Sequence, residues 1–170
     1  EELQERELPQ LEGYRGSRPV RIGNGASRQF QHDVYGEVMT SAHLLADSGV
    51  PIDQGQWDLL RMLANLAATL WREPGNGIWE VRSGPHEFVY SKVMCWVALE
   101  RAAALAEKTG RAGPESQGWR RTAEEIMREV LQRGWNEEKQ AFVQHYGTEA
   151  MDASNLLLPL MGFLPFDDPR

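Results

Sequence analysis

The sequence predicts an all-α fold in which inner helices are covered by outer ones, and three observations lead there. Four apolar patterns recur at helical spacing and are bounded by capping residues or by glycine. One of them is apolar around most of its circumference and another carries a single apolar stripe, so the helices fall into two burial classes. Only one short stretch, residues 141–146, reads as extended.

Residues 9–27 hold Gly13, Gly16, Pro19, Gly23 and Gly25 and read as a structured loop. A first helix is predicted from about Ser27 to Ser48, on the spacing of Phe30, Val34, Val38, Ala42 and Leu45, with Gly49 closing it. A second begins at Asp53, whose carboxylate can cap the helix while Gln56 answers from three residues on. It runs to about Trp71, and Pro74-Gly75-Asn76-Gly77 is a break no helix crosses. The third spans about Glu87 to Thr109, ended by Gly110, and the fourth about Glu115 to Gln132, ended by Gly134. Asp152 then caps an apolar stretch that Pro165 stops.

In the fourth helix Trp119, Ala123, Ile126, Met127, Val130 and Leu131 make one stripe, as in a surface helix with one buried face. The third contains Val93-Met94-Cys95-Trp96-Val97-Ala98-Leu99 and is expected to be buried on several sides. The second, apolar from Leu59 through Trp71, is expected to be nearly as buried. No period of 20–50 residues is evident, against a simple repeat solenoid. The run Leu156-Leu157-Leu158-Pro159-Leu160 reads as core.

At 170 residues the chain can form one domain with a sizeable core. A net charge of -7 and no Lys/Arg cluster argue against nucleic acid. No segment has the length and apolarity of a membrane span. Cys95 stands alone, so no disulfide forms within the chain, which fits a reducing, cytoplasmic setting. The acidic start lacks both an initiator Met and a signal-peptide layout, and the end at Asp167-Asp168-Pro169-Arg170 follows a turn signal; both are expected of an internal piece truncated at each end.

The loop Trp71–Arg82 carries the densest chemistry. Trp79 offers a flat apolar face to a sugar ring. Glu80 beside it is the candidate catalytic acid, expected to sit in a less polar setting that keeps a proton available. Arg82 suits hydroxyl recognition or pairing with a carboxylate. Taken alone, a Trp-Glu pair is more often a packed indole beside a solvated carboxylate. On the residues alone, a retaining or an inverting mechanism stays open. Other motifs fall away: Gly23-x-Gly25 is too short for a dinucleotide loop, and His86-Glu87-Phe88-Val89-Tyr90 ends in Tyr where a zinc-protease helix needs His. His32, His43, His86 and His145 are scattered, so neither a metal nor another cofactor is expected.

Five blocks resemble glycoside hydrolase family 15. They are Tyr14-Arg15-Gly16-Ser17-Arg18-Pro19-Val20-Arg21-Ile22-Gly23-Asn24, Gln31-His32-Asp33-Val34-Tyr35-Gly36-Glu37-Val38, Gly77-Ile78-Trp79-Glu80-Val81-Arg82, the segment Ser91–Leu99, and Asp152–Pro159. They occur in family order across nearly the whole chain and are most similar to the bacterial and archaeal glucoamylase-like or trehalase-like branch. The resemblance implies an (α/α)6 barrel, a toroid of inner and outer helices, of which residues 1–170 form part. It implies inverting, exo-acting cleavage of α-glucosidic bonds, with Glu80 as general acid and an α-glucoside or oligosaccharide as substrate. Arg21, Asn24, Gln31 and Asp33 match a block near the sugar-binding mouth, although Asp33 equally suits a helix cap or an ion pair. Tyr90 and Lys92 can reach the site from the next helix start, or simply pack.

The family's general base is expected beyond Arg170, and its glucose-gripping Trp-x-Arg-Asp segment ahead of Glu1. Val81 replaces a second acid present in the fungal enzymes, so fungal linkage preference does not carry over. A piece of this kind is expected to be inactive alone and, with apolar surface of its inner helices exposed, to self-associate. Two rival readings are a non-catalytic carbohydrate-binding module and a helical interaction module.

Overall fold

The computed structural model describes residues 3–170, and the chain divides into two compact units, Glu1–Phe30 and Gln31–Arg170. The first unit holds a two-stranded antiparallel ladder of β1 (Arg6–Glu7) and β2 (Arg21–Ile22), in register Arg6↔Ile22 and Glu7↔Arg21. Its last element is a 3₁₀ turn, Gly25–Arg28, whose Asn24 side chain accepts from the Ala26 N–H at 2.9 Å.

The second unit is built from α1 (Asp33–Asp47), α2 (Gln54–Leu70), α3 (Val89–Lys108) and α4 (Pro114–Arg133). A short hairpin, β3 (Trp135–Asn136) with β4 (Ala141–Phe142), and a 3₁₀ turn at Ala153–Leu157 follow. The helix α3 is the centre: every residue from Val89 to Leu99 is buried, and α1, α2 and α4 all pack on it. The expected all-round burial of α3 and one-sided burial of α4 are both observed, the latter through Ser116, Trp119, Ala123, Ile126 and Val130.

Four expectations are corrected. Residues 27–32 are not α-helical. Asn24 draws residues 25–28 into the 3₁₀ turn, Gln29 is extended, and the α-helix starts at Asp33. The buried face of α1 is Tyr35, Gly36, Met39 and Ala46, not the stripe through Val34, Val38 and Leu45, which are exposed. The helix α2 is buried along one stripe only (Trp57, Leu60, Ala64 and Ala67), leaving Leu59, Met62 and Leu66 exposed, because α3 and α4 cover just one of its sides. In the leucine run Leu158 is core, whereas Leu156 and Leu160 are exposed.

Local chemistry explains the element ends. Asp53 Oδ1 accepts from the Gln56 N–H at 2.8 Å and Gln56 Oε1 from the Asp53 N–H at 2.9 Å, the reciprocal box that starts α2. The helix α2 meets α4 through a polar seam, with Arg61 Nε 2.6 Å from Glu115 Oε2 and Trp119 Nε1 donating to Asn65 Oδ1 at 2.8 Å. The start of α3 is delayed to Val89 because the Glu87 carbonyl accepts from the Tyr146 N–H (3.0 Å) and Phe88 bridges His145. Among the described residues, no helix is long and apolar enough to cross a membrane.

Candidate active site

Between α2 and α3 the chain forms a hoop. The Gly75 N–H donates to the His86 carbonyl at 2.9 Å and the His86 N–H returns the bond to Gly75 at 2.7 Å, closing a neck around residues 76–85. Within it the Val81 N–H donates to Asn76 O and the Glu80 N–H to Gly77 O, each at 3.2 Å. Gly77 takes φ 67°, and a Cβ there would stand 3.0 Å from the Phe88 ring, so both its conformation and its space call for glycine. Glu80 itself is left-handed at φ 51°, a conformation that costs a non-glycine residue free energy and gathers at functional sites.

The second side of the hoop's frame is the segment that follows β4. The Val89 N–H donates to Gln144 O (3.0 Å), and the rings of His86 and His145 stack at 4.3 Å. The start of the hoop is tied to α3 by Lys92, buried, whose ammonium donates to the Trp71 carbonyl at 2.5 Å and lies 3.3 Å from Glu87 Oε1.

The site residues expected from the sequence separate into groups. Gln31 and Glu80 meet: the Gln31 amide donates to Glu80 Oε1 at 3.3 Å and so orients the carboxyl group. Trp79 is 57% exposed, with its indole N–H donated to Asp152 Oδ1 at 2.8 Å. Glu80 and Arg82 are exposed as well, so the low-polarity enclosure expected around the acid is not furnished by this loop. Asp33 and Tyr90 converge on Glu37, and the Tyr90 hydroxyl donates to Glu37 Oε1 at 3.2 Å. Asp33 is buried, and its Oδ1 has no hydrogen-bond partner among the described residues. Burial pushes its carboxyl up, its own backbone N–H opposes this, and the Glu37 charge adds to the rise. Tyr90 is raised by burial and by Glu37. Burial lowers Lys92 against the opposing attraction of Glu87.

Arg21 and Asn24 lie in the first unit. Arg21 pairs with Glu5 (3.3 Å) and Glu7 (3.2 Å), and Asn24 caps the 3₁₀ turn. Two residues of this region escape a reading by sequence patterns. Glu37 stands four residues after Asp33, which sets both carboxylates on one face of α1, a signal present in the spacing. Asp152 reads as a cap, and it is one, but its bond to Trp79 crosses 73 residues and leaves no local signature. Among the described residues, no group of three or more His, Cys, Asp or Glu is placed to hold a metal ion.

His32, at the start of α1, is buried with Nε2 3.0 Å from the carbonyl of Leu70, where a neutral imidazole donates to the end of α2. Burial lowers its pKa from 6.5 to about 4, the Leu70 bond opposes this, and the Lys92 charge lowers it further. A depressed folded pKa gives stability that is full above 6.5 and lost as pH falls toward about 4, because the unfolded state takes up the proton first. The loss amounts to about 2 kcal/mol after allowing for solvent screening. His32→Gln keeps a donor for Leu70 without this titration. Urea unfolding of the two proteins in that pH window should show a shallower decline for the variant, and identical slopes would refute the linkage.

The chain matches, over residues 1–170, the family model for Glycosyl hydrolases family 15. The chain belongs to glycosyl hydrolases family 15. Within the family it is 49% identical over 168 residues to a trehalase of Mycobacterium tuberculosis, covering 99% of this chain and 24% of that protein. It is 41% identical over 169 residues to a trehalase of Thermoplasma volcanium, covering 99% of this chain and 27% of that protein. The family 15 chain thus spans about a quarter of the length of these curated relatives. A solved wild-type glycosidase superposes with a TM-score of 0.69 at 25% identity, over 91% of this chain and 42% of that one. A glycosidase variant in complex with glucose gives a TM-score of 0.71 at 24% identity over the same shares, a likeness of fold. The helical fold is accordingly part of an (α/α)6 barrel of the family 15 type.

Proposed function

We propose that this chain is the segment of an inverting, exo-acting α-glucosidase that carries the catalytic acid, with Glu80 as that acid and trehalose as the leading substrate. The observation that carries the reading is the hoop. It presents Trp79 and Glu80 side by side at its exposed tip, with one Glu80 oxygen engaged by Gln31 and the indole secured by Asp152. A protonated Glu80 would deliver its proton to the glycosidic oxygen while the indole face carries a sugar ring. Arg82, on the same hoop, would recognise hydroxyls, as would Gln31 beside Glu80. Tyr90 and Lys92, buried beneath, would support rather than touch the sugar. The relatives called trehalase support α,α-trehalose as the first substrate to try.

Inversion requires a second carboxylate on the far side of the sugar to activate water, about 6.5–9.5 Å from the acid. We assign it to a part of the family 15 protein outside this chain. Two experiments test the reading. The full-length protein, given trehalose, maltose and isomaltose, should hydrolyse at least trehalose, with β-glucose among the first products by proton NMR. An inverted unit emerges as β and the leaving glucose as α, whereas retention would yield α-glucose alone. The isolated 170-residue chain should hydrolyse none of the three, and measurable turnover by it would place the base within the chain. The apolar face left open by Val34, Val38, Leu59, Met62 and Leu66 should make that chain self-associate in sedimentation, and a stable monomer would contradict this.

A further inference from the structure

We propose that Asp152 is a positioning residue that sets the angle of the Trp79 indole, and through it the sugar platform next to Glu80. This rests on the reading of the hoop as the acid-bearing loop of an α-glucosidase. Trp79 is mostly exposed, so packing alone does not hold its ring. Its one polar handle is the indole N–H, and that handle is donated to Asp152 Oδ1 at 2.8 Å.

The acceptor is itself fixed. Asp152 Oδ1 also accepts from the Ser154 N–H at 2.8 Å and the Ser154 hydroxyl at 2.7 Å, and Oδ2 accepts from the Gln144 amide at 3.1 Å. Four donors therefore leave the carboxylate little rotational freedom. Gln144 is held by its backbone: its N–H donates to Ala150 O at 2.7 Å and its carbonyl accepts from Val89 at the start of α3. Capping the 3₁₀ turn at Ala153–Leu157 uses only the Ser154 contacts, so the bonds to Trp79 and Gln144 exceed what a cap requires. Burial raises the Asp152 carboxyl, and the bonds from Trp79, Ser154 and Gln144 outweigh it, so the group stays charged and its hydrogen bonds are charge-assisted.

A platform that binds sugar in ground and transition states alike affects KM before kcat. In the full-length protein on trehalose, Asp152→Ala should raise KM about tenfold with kcat changed less than about threefold. Asp152→Asn keeps an acceptor for the indole and should recover most of the loss. Trp79→Phe removes the donor and should raise KM by itself, and adding Asp152→Ala to Trp79→Phe should change KM little further, as expected of two residues acting through one bond. An unchanged KM in Asp152→Ala, or the same added loss with and without the indole, overturns the positioning role. Failure of the functional reading looks different: the wild type hydrolyses no α-glucoside, or Glu80→Gln keeps full activity, and either result removes the basis of the inference as well.

Discussion

Replacing Glu80 by Gln in the full-length protein should lower kcat on trehalose by about 10²–10⁴-fold, the usual contribution of a positioned general acid. The amide has the shape of the acid, and its side chain lies at the exposed tip of a hoop closed by backbone bonds between Gly75 and His86. Folding should therefore be unaltered, with the melting temperature and circular dichroism of the wild type. The sharper check is a substrate that needs no acid. An α-glucosyl fluoride leaves as fluoride, so its hydrolysis should survive the substitution far better than that of trehalose. Equal losses on both substrates would point to a binding or structural role for Glu80, and near-normal trehalose turnover would end its assignment as the acid.

The second large effect concerns stability. At Gly36 in α1 an added Cβ would stand 2.5 Å from the Met94 carbonyl oxygen and 2.7 Å from the Met94 Cε, on the core face of α3. The methyl could move aside, but a carbonyl inside a helix cannot. Alanine ordinarily favours a helix over glycine by about 1 kcal/mol. Here forcing α1 off α3 should reverse the sign and cost about 2–3 kcal/mol net. Gly118→Ala in α4 is the control, because its Cβ would meet only the Arg121 guanidinium at 3.8 Å. That change should stabilise by about 0.5–1 kcal/mol. Urea midpoints shifting in opposite directions would confirm the close approach, and a neutral Gly36→Ala would refute it.

What the sequence discloses and what it withholds follow from the range of each interaction. The box of Asp53 and Gln56 and the glycines after α1 and α3 are local, and they stand where their spacing places them. The centrality of α3 is legible because its apolar residues surround it. The helix α1 is harder, because it has two apolar faces. Val34 and Val38 fit the period as well as Tyr35 and Met39 do, and only the arrival of α3 decides which set is covered. The same limit applies to α2, whose composition resembles α3 while its neighbours cover one stripe. Glu80 is legible as a candidate through its resemblance to family 15 and its place in a glycine-bounded loop. The bonds that orient it and its neighbour come from Gln31 and Asp152, 49 and 73 residues away in sequence, where no local pattern reaches.

The paired backbone bonds between Gly75 and His86 also bear on how such a protein diversifies. Because the neck is made of main-chain groups, its closure does not depend on the side chains at 78–85, several of which are exposed. On the proposed reading, the exposed side chains around Glu80 can be exchanged, and the glycoside preference with them, while α2 and α3 keep their packing. The neck thus separates a loop whose side chains are free to serve chemistry from a scaffold held by packing.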